Sequence, residues 1–376
     1  MISRALLATS LLTGLLLGAI ASADEASVTV TWDLAGAPRT TSGQVVLEDS
    51  QGGMLLLERS GELRTIPASQ LKSRAPAAAD ASGPFDAEEL GAALRREFGG
   101  RFDVIRTKHY VVCTDSGKRF AEWTGKLFER LFDGFHAAWK DTGLELREPV
   151  FPMPVLIFAK EQDYRDYAQR DVGPIAVDLG YYSSLTNRVA LRDLTPAKAG
   201  ERSGDLSGLV DAANVSTIVH EAAHQIAFNT GFHVRLADNP MWLTEGLAMY
   251  FESPDLRNNS GWKTTGQVNR ARLQRYRDYS RNRRQPGSLK SLLVGNEQFT
   301  RAETAADAYA EAWLLTHYLI RQRRDDYVAY VRRLQAKTPL DIGTAESRLS
   351  EFCEVFGDDI GRLERELSAY AGRLPR

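Results

Sequence analysis

Cysteine is scarce: two in 376 residues, too few for a disulfide framework or a thiolate metal site. Cys113 and Cys353 lie far apart and form no ligand motif; Val111 beside one, and Phe352 and Phe356 beside the other, predict buried free thiols. Charge of one sign is also lacking. Forty-seven Lys and Arg stand against 49 Asp and Glu, a net charge of -2, which argues against a general polyanion binder. After residue 20 no apolar run is long enough to span a bilayer. The earlier run, Ala5 to Ile20, is short for that purpose and diluted by Thr9, Ser10 and Thr13. With Arg4 before it and Ala21-Ser22-Ala23 after it, it reads as a signal peptide cleaved near Ala23. No cysteine stands there to carry a lipid. The expected mature chain is exported, periplasmic or extracellular, with no transmembrane segment, and its 43% hydrophobic content suffices for a core.

What the sequence does contain is V-H-E-A-A-H, Val219 to His224. On a helix His220 and His224 lie about 40° apart around the axis and about 6 Å apart along it, so both imidazoles can reach one tetrahedral metal. Glu221 can lean over the same site. This is the H-E-x-x-H zinc signature, two histidine ligands and a glutamate general base. Asn214 or Ser216 can cap the helix and Gly231 can stop it. A catalytic zinc needs a third protein ligand. The metzincin continuation is excluded, because its glycine and histidine positions hold Ala227 and Thr230. His233 comes three residues too late, beyond Gly231. Glu245, in the apolar helix M-W-L-T-E-G-L-A-M-Y-F-E, follows a loop long enough to turn the chain back; Asp238 and Glu252 are next in line.

His220, Glu221, His224 and the later W-L-T-E-G-L-A resemble the gluzincin zinc peptidases, whose third ligand is a glutamate on the following helix. The zinc aminopeptidases have W-L-N-E-G-F-A, with asparagine where Thr244 stands. Y-A-E-A-W-L-L-T-H-Y-L, from Tyr309, looks like the segment that opens with that family's transition-state tyrosine. The resemblance spans roughly residues 180 to 319 and is similar to peptidase-MA-like gluzincins of bacterial secreted proteins. It implies zinc on His220, His224 and Glu245, catalysis by Glu221 and Tyr309, and a peptide or protein substrate. The aminopeptidase G-x-M-E-N segment, which holds a free amine, has no counterpart. An internal-bond peptidase is therefore expected. In its place stands G-Y-Y-S-S-L-T-N-R-V-A-L, Gly180 to Leu191, which reads as a hairpin; in the family the corresponding edge strand binds extended substrate.

The expected fold is α+β in class. Residues 24–73 read as four short strands with glycine turns, a small SH3-like barrel without an aromatic binding strip. Residues 74–85 read as a flexible linker by their Ala and Pro content, making the barrel a tethered module. Residues 86–376 read as a gluzincin-like catalytic domain: a mixed sheet, the zinc helix, then a helical subdomain. Arg101 to Thr114 alternates as one strand, and Phe120, Trp123, Leu127, Leu131, Phe135 and Trp139 form a core helix stripe with His136 beside it. Lys263 to Lys290 carries nine Lys or Arg against the single Asp278, which in an exported protein reads as a solvated helix face; no nucleic-acid partner is expected. The sequence thus predicts an exported zinc endopeptidase. The alternative is a protein that keeps zinc but only binds peptide or associates with the envelope.

Overall fold

The structure, a computed structural model, describes residues 27–34, 36–174, 179–193, 212–253, 255 and 262–375, the side chains of 212–214 excepted. The signal segment lies outside these residues, as does the Asn214 side chain. No described helix is long and apolar enough to cross a membrane.

The chain begins with an antiparallel sheet of β1 (Val28–Leu34), β2 (Ala37–Glu48), β3 (Met54–Glu58), β4 (Leu63–Ile66) and β5 (Leu71–Pro76), in the order β4-β3-β2-β1-β5. Alternation along the strands puts Val28, Val30, Trp32, Val45, Met54, Leu56 and Ile66 into one small core. Two expectations need correction. The sheet is not a closed barrel: β4 and β5 are its ends and do not pair. The expected linker also contributes residues 74–76 to β5, where Pro76 is tolerated because β5 is an edge strand.

The second sheet comes from α1 (Ala87–Phe98), β6 (Asp103–Arg106), β7 (Tyr110–Thr114), α2 (Lys118–Trp139), β8 (Met153–Phe158), α3 (Glu161–Val172), β9 (Gly180–Ser183) and β10 (Arg188–Arg192). Its order is β6-β7-β8-β10-β9, with β8 parallel to both neighbours and a hairpin at each end. The run read as one strand is the hairpin β6–β7. Its turn is gripped by Glu129 of α2, which accepts bonds from Thr107 Oγ1, His109 N and His109 Nδ1. The period-two alternation divides the residues between two cores. Tyr110, Val112, Val155, Ile157, Tyr182, Val189 and Leu191 face α2 and the helices beyond. Val111, Cys113, Leu156, Phe158, Tyr181 and Ala190 face α1 and α3. Buried Cys113 and half-buried Cys353 are both free thiols.

From residue 212 the chain is helical: α4 (Ala212–Asn229), α5 (Met241–Phe251), α6 (Arg270–Asn282), α7 (Ser288–Val294), α8 (Glu297–Thr300), α9 (Ala302–Gln322), α10 (Arg324–Gln335), α11 (Ala345–Phe356) and α12 (Ile360–Arg373). Because α4 starts at Ala212, Ser216 lies inside it and is not its cap. Gly231, at φ 78°, follows its end in the left-handed region that favours glycine. Helix α5 packs directly on α9. A Cβ at Gly246 would overlap the Thr316 hydroxyl and stand 2.9 Å from the Ala312 carbonyl oxygen, so the glycine sets that approach.

The N-terminal sheet is docked, not tethered. The β3–β4 turn inserts beside the β9–β10 turn, where Leu63 N donates to Leu185 O at 2.7 Å. Arg235, in the loop between α4 and α5, sends Nη1 to Gly61 O at 2.8 Å and Nε to Ser184 O at 2.9 Å, and Nη2 also reaches Leu185 O at 3.1 Å. One half-buried guanidinium therefore joins three segments, and its partial desolvation pushes its pKa down from the usual arginine range. Arg235→Gln should strip donors from several main-chain carbonyls and cost on the order of 3 kcal/mol. A urea unfolding curve measures this; a midpoint equal to the parent's would mean the sheet is not held through Arg235.

Candidate metal centre

The site is made where α4 crosses α5. His220 and His224, one turn apart on α4, both point Nε2 toward α5, 3.2 Å from each other. Glu245 Oε2 of α5 lies 3.2 Å from His220 Nε2 and 3.5 Å from His224 Nε2. All three residues are buried, and their ligand atoms form the group among the described residues that can hold a metal ion. Ligands about 2.0–2.1 Å from a tetrahedral ion stand about 3.3 Å from one another, so the triangle has the size such an ion requires.

Three anchors hold the two helices in this crossing. Gln225, next to His224, donates Nε2 to Pro154 O at 2.9 Å and Asn187 O at 2.8 Å, fixing α4 to strand β8 and to the start of β10. Asn187, at φ 59°, exchanges side-chain bonds of 2.7 and 2.9 Å with Asn229 at the end of α4. The loop carrying the chain from His224 to Glu245 is pinned at Arg235, as above, and at Asp238, which Lys337 and Arg348 grip from α10–α11. Asp238 is thereby committed away from the metal centre.

Glu252, at the end of α5, backs the site. Its Oε2 is 3.2 Å from His220 Nδ1, and Asn269 Nδ2 and Arg272 Nε reach its Oε1 at 2.6 and 3.2 Å. A carboxylate on the far ring nitrogen fixes the orientation and tautomer of a ligating histidine. This supporting role, not ligation, is where the structure puts Glu252. The spacing of His220 and Glu252 in sequence carries no such signal, since their meeting depends on how two helices cross.

Glu221 lies on the same face of α4, buried, and its Oε2 accepts a 2.9 Å bond from Tyr182 N on edge strand β9. Tyr182 is held in turn by its hydroxyl on Asn187 Oδ1 at 3.0 Å. The expected hairpin is present and it positions the glutamate. Tyr309 is buried in α9, its ring edge-on to Phe299 with the Arg272 guanidinium 5.7 Å from its centroid. Arg272 also holds Glu252, which holds His220, so Tyr309 is joined to the site's supporting residues through Arg272. His233 is 1% exposed, packed against Phe228 and Phe232, and both its ring nitrogens lack a hydrogen-bond partner among the described residues. Burial, reinforced by His224, pushes it down to about 3, so it is neutral.

The electrostatics follow from burying two imidazoles against carboxylates. Burial alone would depress His220, but the Glu245 and Glu252 carboxylates outweigh it and lift its pKa to about 10. Burial alone would raise Glu245, but His224 and His220 hold it down at about 2. Burial chiefly raises Glu221, against the pull of the histidines. Ligating nitrogens must be unprotonated, so metal uptake releases the His220 proton and affinity falls as pH is lowered.

Compared with known proteins, residues 214–341 match a family model described as "Protein of unknown function (DUF1570)". The match takes in His220, Glu221, His224, Glu245, Glu252 and Tyr309. No curated protein matches the chain.

The supporting carboxylate can be tested without any substrate. Glu252→Ala should weaken metal binding by about 10–100-fold while leaving the three ligands in place. Competition against a chromogenic chelator reads the change directly; unchanged affinity would remove Glu252 from the site.

Proposed function

We infer that the chain is a zinc-dependent peptidase of gluzincin type, acting on internal bonds of a peptide or protein. The observation carrying this reading is the buried triangle of His220, His224 and Glu245 with Glu221 beside it. Two imidazole nitrogens and one carboxylate oxygen, in an arrangement of tetrahedral size, fit zinc better than they fit the all-oxygen preferences of magnesium or calcium. Zinc, when bound, would polarise the scissile carbonyl and lower the pKa of water.

The chain's own groups supply the rest. Glu221, made a stronger base by burial, is suited to accept a proton and return it to the departing amine. The Tyr182 N–H bond at one carboxylate oxygen orients it and leaves the other oxygen for the proton. Glu252, Asn269 and Arg272 hold His220 in its ligating orientation. Tyr309 is assigned to donate its hydroxyl to the oxyanion, a bond that strengthens only as the oxygen becomes negative. Main-chain pairing along β9 would bind extended substrate with little regard to its sequence.

Glu221→Gln should keep its metal yet lose several orders of magnitude in hydrolysis of a broad peptide library. A variant as active as the parent would end this mechanism. A parent that holds zinc and cleaves nothing in the library would turn the reading to the peptide-binding alternative.

Tyr309→Phe should fold, keep its metal and retain KM, while kcat falls about a hundredfold to a thousandfold. A kcat within a few-fold of the parent, with the loss appearing instead in Tyr250→Phe or Tyr318→Phe, would assign the oxyanion to another tyrosine.

A further inference from the structure

Helix α6 carries most of the basic run, and its two faces are treated differently. On the face toward α9 and the metal centre the arginines are neutralised: Arg272 by Glu252, Arg275 and Arg283 by Asp307, and Arg284, just past the helix, by Glu311 and Glu364. On the other face Arg270, Gln274, Arg277 and Arg281 recur at i, i+4, i+7 and i+11, a straight row about 16 Å long. They line an open groove of about 530 Å3, walled by Leu273, Gly372 and Pro375, with no Asp or Glu in its lining. Arg270 and Arg281 have no carboxylate partner among the described residues.

Arg277, at the middle of the row, is held in place. Its Nη2 donates to Ala371 O at 2.7 Å and Leu374 O at 2.8 Å, the end of α12. These bonds occupy one nitrogen and fix the plane of the guanidinium, so Nε and Nη1 remain as donors whose orientation is already settled. Pre-ordering a donor in this way lowers the entropy cost of binding. Planar guanidinium forks match tetrahedral oxyanions bidentately, and a groove of one sign raises the local concentration of anions. The helix spends carboxylates on its other arginines and none here. A merely solvated face would need neither the concavity nor the anchored arginine.

We propose that this groove binds phosphate oxyanions, carried by a soluble phosphate compound or by an anionic phospholipid headgroup. The two sources share one chemistry, recognition by Arg270, Arg277 and Arg281 with Gln274 between them. The proposal does not depend on the metal centre, whose link to α6 runs through Arg272 and Asn269.

The test uses the full-length protein, the variant R270Q/R281Q and a charge-matched control, R96Q/K140Q, which removes two exposed cations elsewhere. Calorimetry with inorganic pyrophosphate measures soluble binding. Flotation with phosphatidylglycerol vesicles, against vesicles of phosphatidylcholine alone, measures headgroup binding. The parent and the control should bind at least one of the two anionic probes, more weakly as salt is raised. R270Q/R281Q should bind about tenfold or more weakly with an unchanged melting temperature. Binding of pyrophosphate alone identifies a soluble ligand; binding of phosphatidylglycerol vesicles alone identifies the headgroup. Absence of binding to both at low salt, or equal loss in R270Q/R281Q and R96Q/K140Q, overturns the proposal.

Discussion

Two imidazole nitrogens and a carboxylate oxygen, all buried, are held 3.2–3.5 Å apart where α4 meets α5. Burying such a cluster is costly, because basic nitrogens and an acid oxygen are desolvated together. Much of the surrounding structure can be understood as what resists the cluster's tendency to open. Gln225 and Asn187 fasten α4 to the sheet, Gly246 lets α5 lie directly on α9, and Glu252 with Arg272 supports the outer edge of His220. Each anchor comes from a different part of the chain.

The loop between α4 and α5 is the mechanical centre of this arrangement. It must reverse the chain so that Glu245 returns to the histidines, and it is gripped from both sides. Arg235 ties it to the N-terminal sheet and the β9–β10 turn, while Asp238 ties it to the C-terminal helices through Lys337 and Arg348. The N-terminal sheet is thus coupled to the segment that positions Glu245. The same β9–β10 turn follows the strand whose Tyr182 amide holds Glu221.

The features readable in the sequence are those governed by local periodicity. Four-residue spacing puts His220 and His224 on one helix face, the stripe from Phe120 to Trp139 becomes α2, and Gly180 to Leu191 becomes the β9–β10 hairpin. What was not readable depends on pairs distant in sequence. The alternation of Arg101 to Thr114 is the same in one strand as in a tight hairpin, and only Glu129, reaching back from α2, marks the turn. Ala and Pro in residues 74–76 suggested a linker because composition does not reveal an edge strand beside β1. Glu252 and Asp238 looked alike as spare acids. Tertiary partners decide that one supports a ligand and the other clamps a loop. The run of arginines on α6 likewise looked uniformly solvated until Asp307, Glu311 and Glu364 were brought against one face and not the other.

The claim on which the account rests is that His220, His224 and Glu245 form one metal site. Elemental analysis of the full-length protein, dialysed against metal-free buffer and then re-equilibrated with zinc, tests it most directly when His220→Ala and Glu245→Ala are measured alongside. The account predicts about one zinc per parent chain and near-complete loss in both variants, with folding retained by circular dichroism. A parent with no stoichiometric zinc, or a Glu245→Ala protein that keeps a full complement, would contradict it.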